Sequence, residues 1–154
     1  SLNLDLIATK SYYTARRYIL VNDLMMQYNK PIYLFDADSL IRKDLDKFLK
    51  LNKDYDMSLH IKDELRYFQT AITANQSLFI NTKNSKIFLN FYKNYITYIF
   101  KHKSLRWHID QIVLYVSYIL IKRFYGADIN NNSDNNFKNK NSFFYHTFHN
   151  KYLL

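Results

Sequence analysis

Between Pro31 and Ile41 the chain reads PIYLFDADSLI, four strand-forming apolar residues that run straight into two aspartates. Pro31, after Asn29 and Lys30, stops any preceding helix. Ile32-Tyr33-Leu34-Phe35 is too short for a helix and unbroken by polar residues, as expected of a parallel strand covered on both faces. In an open α/β sheet the carboxyl end of such a strand faces the crevice where ligands bind. Two carboxylates placed there repel each other unless a cation, usually a metal ion, holds them. Asp36 and Asp38 are therefore the first candidate site residues, set against the alternative of a turn capped by their side-chain oxygens.

The flanking sequence reads as alternating elements. Lys10 to Tyr28 lacks Gly and Pro and predicts a mostly buried helix, with Arg16, Asp23 and Gln27 on one stripe and Tyr13, Val21, Leu24 and Tyr28 on another. Arg17 falls within the apolar stripe, where an inward role competes with simple snorkelling to the surface. Leu45, Phe48 and Leu49 mark a short helix, and Tyr55 to Ile61 alternates as a strand with one wet face. Thr70 to Thr82 reads as a strand or hairpin. Asn84 to His102 and Trp107 to Phe124 are long helices whose aromatic and aliphatic stripes suit packing, not base stacking. Asn130 to Asn141 is Asn-rich and reads as a flexible solvated loop, and strand character returns at Phe143 to Tyr145. This order predicts an α/β class and, over residues 1–154, a single domain.

Composition excludes some functions and leaves others open. Without cysteine the chain has neither a disulfide framework nor a thiolate metal site. No apolar run reaches membrane-spanning length, and the N-terminus has no basic-then-apolar leader. The net charge of +9 invites a nucleic-acid reading. The lysines, however, are scattered, and a chain rich in Lys, Asn, Ile, Tyr and Phe with one Gly and one Pro has the composition that AT-rich coding gives to any protein. A basic surface still favours anionic partners such as nucleotide diphosphates or acidic lipid head groups.

An apolar strand ending in D-x-D has two chemical uses. Both carboxylates can grip Mn²⁺ or Mg²⁺ against the diphosphate of a nucleotide sugar. Alternatively, Asp36 can be a nucleophile toward phosphate, as in haloacid-dehalogenase-type phosphatases. The phosphatase also needs a later lysine and a downstream acidic pair, and the neighbourhood of Gly126 offers only Asp128. A third reading is a non-catalytic basic binding module.

Several segments in order resemble bacterial GT-A-type glycosyltransferases, the group that includes the family 8 enzymes: YYTARRYILVNDLM, the D-x-D strand, SLFINTKNSKIFLNFY, WHIDQIVLY and FYHTFHNK. The resemblance spans roughly Tyr12 to Lys151. It implies a GT-A-like, Rossmann-related mixed sheet flanked by helices, and a metal-dependent transfer of a sugar from a nucleotide-sugar donor, such as a UDP-sugar, to a saccharide or lipid-linked acceptor. Carried over, it implies Asp36, Asp38 and His146 as ligands of Mn²⁺ or Mg²⁺, and Arg17 and Lys151 as contacts to the nucleotide or its phosphates. His149 competes with His146 for the ligand role, but strand alternation and the spacing to Lys151 favour His146. Asp110 and Gln111 would face the acceptor and the transferred sugar, although Asp110 also suits its helix's N-terminal dipole. Asp110 and Asp56 are the carboxylates to test as a base. In its departures from the family, Ser1 to Lys10 is too short for the expected nucleotide-binding strand, and Ala74-Asn75-Gln76 stands where a small-residue turn is expected. The expectation is a domain incomplete at its N-terminus, the D-x-D part of a longer enzyme, which as an isolated piece would bind nucleotide weakly. It would be cytoplasmic and in peripheral contact with the anionic inner face of the membrane, and have no specific nucleic-acid partner.

Overall fold

The computed structural model describes residues 2–37, 39–62, 67–102, 108–133 and 143–146. It is a mixed α/β structure. The elements follow in the order α1 (Leu2–Tyr28), β1 (Ile32–Phe35), β2 (Ser39–Ile41), α2 (Leu45–Asn52), β3 (Met57–Ile61), a 3₁₀ turn (Phe68–Thr70), β4 (Ile72–Phe79), α3 (Lys83–His102), α4 (Ile109–Tyr125), β5 (Ile129–Asn131) and β6 (Phe144–His146). The main sheet has the strand order β1-β4-β3-β5, and β2 and β6 form a separate two-stranded ribbon. Among the described residues, no helix is long and apolar enough to cross a membrane.

The apolar run of β1 makes contacts on both faces, but its coverage is partial: Ile32, Tyr33 and Leu34 are half-buried and Phe35 is exposed. Ile32 and Leu34 pack on the main core, whereas Tyr33 lies across the sheet on Phe48 of α2, in a second cluster with Leu78 and Phe143. Its pairing is not the expected one. β1 runs antiparallel to β4, with Ile32 opposite Phe79 and Phe35 opposite Gln76. An apolar run requires two covered faces and leaves strand direction open, so burial alone does not discriminate. Similarly, β3 has no wet face: Met57, Ser58, Leu59 and His60 are all buried, because β4 and β5 flank it and both sheet faces are covered.

Helix α1 buries Ser11, Ala15, Tyr18, Val21 and Met25, spaced four, three, three and four apart, the period of one helix face. The stripe read from sequence was rotated from this one, since Tyr13, Leu24 and Tyr28 are exposed. A 27-residue helix with large side chains all round offers more than one plausible apolar stripe. Asn29, at φ 52°, ends the helix in the left-handed region that asparagine tolerates. Helices α3 and α4 pack against α1, and Phe88, Tyr92 and Val113 belong to the same core cluster as its buried face. The ring of Tyr18 meets Tyr92 at 5.1 Å and Phe79 at 6.3 Å. Burying an aromatic side chain of this size contributes about 2–3 kcal/mol, so Tyr18 is a principal anchor of the helix on the sheet.

The Asn-rich segment is corrected at its start. Asn130 and Asn131 belong to β5, and Asn132 is buried. The Asn130 amide donates to Asn52 Oδ1 at 2.7 Å, and Asn131 Oδ1 accepts from Ile61 N at 3.0 Å. Side-chain amides thus fasten an edge strand whose composition alone suggests a solvated loop. Residues 134–141 of that segment lie outside the described residues.

Candidate functional site

The site is shaped by an irregularity in β4. Leu59 and His60 are consecutive on β3, yet their partners on β4 are Ser77 and Thr73, which leaves Ala74, Asn75 and Gln76 without a β3 partner in the register. Such bulges bend a strand and re-aim its backbone groups, and they are over-represented beside active sites. On the β1 side, Asn75 O accepts from Asp36 N at 2.9 Å, which extends the pairing one residue beyond β1 and fixes the backbone of Asp36. Ala74 O accepts from Tyr18 Oη at 3.2 Å and from Arg17 Nη2.

Arg17 therefore points inward. Its Nη1 donates to Asp36 Oδ1, forming an ion pair whose side chains are 23% and 29% exposed, and its guanidinium lies 5.4 Å from the Tyr18 ring centroid. Burial alone would lower the Arg17 pKa, but Tyr18, Asp36 and Asp110 together hold it above its ordinary value. Snorkelling is excluded for this arginine, because a carboxylate and a carbonyl on two different strands draw its fork into the protein.

Helix α4 supplies the opposite wall. Asp110, in its first turn, is 5% exposed. Burial raises its pKa, while the backbone N–H of Gln111 and the charge of Arg17 oppose the rise. His108 precedes the helix at φ 67°. In the amide orientation that satisfies both groups, Gln111 Nε2 donates to Ile72 O at 3.2 Å and Gln69 O at 3.3 Å, and its Oε1 accepts from His108 Nδ1 at 3.0 Å. In that bond His108 Nδ1 is the donor.

Thr14, Arg17, Asp36, Ala74, Asn75, His108, Asp110 and Gln111 line one cavity of about 280 Å³. Four predicted residues, Arg17, Asp36, Asp110 and Gln111, thus converge from α1, the end of β1 and the start of α4. Gln111 lines the cavity with its amide committed to backbone carbonyls, so it braces the wall. Thr14, His108, Ala74 and Asn75 were not predicted as site residues. Thr14 lies one turn before Arg17, and His108 two residues before Asp110, so each carried a positional signal; the β4 bulge carried none.

Of the other predicted residues, Asp38, Lys151 and the competing His149 lie outside the described residues, and of His146 only the backbone is described. In the ribbon, His146 is the register partner of Ser39, the residue after Asp38. No group of three or more metal-ligating residues occurs among the described residues. Asp56 is not in the cavity. Its Oδ1 accepts from Thr82 Oγ1 at 2.6 Å, and its Oδ2 accepts from Asn84 Nδ2 and Asp128 N, each at 2.9 Å. It ties the start of α3 to the approach of β5, and as a base candidate it is replaced by that structural role. The chain matches no family model, no curated protein and no solved structure.

Proposed function

We propose that the chain is the D-x-D-containing part of a GT-A-like, metal-dependent glycosyltransferase that moves a hexose from a nucleotide-sugar donor to a saccharide or lipid-linked acceptor. The observation that carries this reading is the meeting of Arg17, Asp36 and Asp110 in one cavity at the carboxyl end of β1. These residues are distant in sequence, and packing alone does not require charged groups there.

The donor set fits a hard or borderline divalent cation. Two carboxylates and one imidazole, from Asp36, Asp38 and His146, are a ligand combination suited to Mn²⁺ or Mg²⁺. Of these, the backbone of His146 is the register partner of Ser39 in the ribbon. When bound, the cation would neutralise charge developing on the leaving diphosphate. Arg17, the ion-pair partner of Asp36 in this structure, would turn from that carboxylate toward a phosphate oxygen, which its planar fork suits. Asp110, its pKa raised by burial, would hold the proton of the acceptor hydroxyl as a general base. A cavity of about 280 Å³ lies at the small end of ligand pockets and suits a sugar ring better than a whole nucleotide sugar. This agrees with the base and ribose being held by further structure.

The phosphatase reading is weaker on geometry. Asp128, its candidate second acid, donates its N–H to Asp56, next to Met57 at the Ile32 end of the sheet, opposite to Asp36. Calorimetry tests the proposal. Mn²⁺ should tighten binding of UDP at least tenfold, and Asp38→Ala and Asp36→Asn should each abolish that gain. Nucleotide binding that ignores both Mn²⁺ and these substitutions refutes it.

A further inference from the structure

A second groove, of about 590 Å³, runs along α4 beside β3 and β5, the two strands farthest from β1. Lys62 stands at one end and Lys122 and Arg123 at the other, all exposed. Gln111 holds Ile72 O, and Ile72 is the register partner of Ile61, so the start of α4 lies beside Lys62. From Gln111 to Lys122 the helix rises about 16 Å, which carries the other two cations to the far end. Among the described residues none of the three has an acidic partner. Every other residue lining the groove is uncharged, chiefly isoleucines and the half-buried Tyr115 and Tyr118. The Lys62 end leads toward the first cavity. Lys62 N donates to Ala71 O at 2.8 Å, and Ala74, three residues further along the chain, lines that cavity. The 3₁₀ turn before Ala71 is tied to the same place, since Gln69 O is held by Gln111, itself a cavity residue. At this junction Tyr67 is 63% exposed and Phe68 55% exposed.

We propose that this groove binds an anionic saccharide chain, one bearing carboxylates on some of its units, whose leading end passes Tyr67 and Phe68 to reach the cavity. Its role as the acceptor rests on the sugar-transfer reading; its binding in the groove does not. Charge complementarity supplies the attraction, because each end of the groove offers cations without an acidic partner. The spacing of those cations selects the occupant. A nucleic-acid strand carries a phosphate on every nucleotide and would lay several of them along the uncharged middle. A saccharide with acids only at intervals places neutral rings there instead, their C–H faces against Ile129 and the tyrosine rings. Tyr118 Oη accepts from Lys122 Nζ at 3.1 Å and keeps its own O–H to donate to a sugar hydroxyl. A span of about 16 Å is also too long for a single sugar ring and calls for an oligomer.

Fluorescence anisotropy of a labelled hyaluronan hexasaccharide, with neither nucleotide nor metal present, tests it, the methyl-esterified hexasaccharide serving as the neutral reference. The acidic probe should bind at least about tenfold more tightly. Lys62→Gln should weaken its binding about threefold and the double variant Lys122→Gln, Arg123→Gln about tenfold, the worth of one and of two exposed charge pairs. The two ends are far enough apart that the triple variant should lose the product, about 30-fold. Phe68→Ser should weaken binding severalfold. The double variant Lys50→Gln, Lys53→Gln, at exposed positions on and just after α2, should stay within about twofold of the parent, less than the effect of one groove cation. All these positions are exposed, and far-ultraviolet circular dichroism verifies that each variant folds. Equal binding of the acidic and neutral probes overturns the proposal, as does an equal loss in the α2 control. Parental binding by Phe68→Ser overturns the path to the cavity. Tighter binding of polyglutamate or mixed-sequence single-stranded RNA through the same cations assigns the groove to another polymer and overturns it too. Saccharide binding without nucleotide binding sinks the transfer reading alone, and the reverse sinks the groove alone.

Discussion

Replacing Arg17 by methionine removes the ion pair with Asp36 and the bond to Ala74 O, while keeping most of the side chain's apolar stem. Exposed pairs are worth about 0.2–1 kcal/mol, and breaking a buried pair costs about 3–5 kcal/mol. With side chains 23% and 29% exposed, this pair falls between those limits. Ala74 O retains the Tyr18 hydroxyl, so no carbonyl is orphaned, and the expected loss is about 2 kcal/mol. For a chain of this size that lowers Tm by about 4–8 °C. Urea and thermal unfolding followed by circular dichroism give the two values, and a double-mutant cycle with Asp36→Asn isolates the pair. The coupling should be at least about 1 kcal/mol and survive moderate salt, because the pair is shielded from solvent. With Mn²⁺ and UDP present it should shrink, since Arg17 would then have turned to the phosphates. A coupling below about 0.3 kcal/mol, or one that salt removes, would show that Arg17 is not held inward and would refute this account of the site.

Two further outcomes follow from buried titratable groups. The folded-state pKa of Asp110 is raised, so its contribution to stability is present at low pH and is lost as pH rises through that value. Asp110→Asn should therefore leave the protein at least as stable as the parent at pH 7 by thermal unfolding, while slowing the proposed sugar transfer by about a hundredfold or more. His60 behaves in the opposite sense. Desolvation, with Lys62 adding to it, pushes its pKa down to about 4 from an ordinary 6.5. The unfolded chain then binds the extra proton between those values, so stability is present above pH 6.5 and drains as pH falls through the window. His60→Gln should remove up to about 3 kcal/mol of that acid sensitivity, read as the difference in unfolding free energy between pH 6.5 and 4.

The elements legible in the sequence were those with a local period or a punctuating residue. Pro31 and the apolar run gave β1 its observed limits, and the aromatic stripe of α3 was read to within one residue of its start. Arg17 was picked out because a charge interrupted an apolar face, and the structure shows it reaching across to β1 and β4. Pairing was not legible. The antiparallel direction of β1, the displaced register at Ala74 to Gln76 and the β2–β6 ribbon all depend on which distant segments meet, and no local pattern encodes that. Asn130 was misread for a related reason: its amide looks like solvated loop chemistry until Asn52 is placed beside it.

The partners of Arg17 on Asp36 and Ala74 lie 19 and 57 positions along the chain, so its cavity consists of non-local contacts and cannot pre-exist in any short segment. Closing such separations is entropically costly and comes after local helix formation. The charge pair would therefore form only when α1 docks on the sheet, and chains caught before that step would carry native-like helices without a competent cavity.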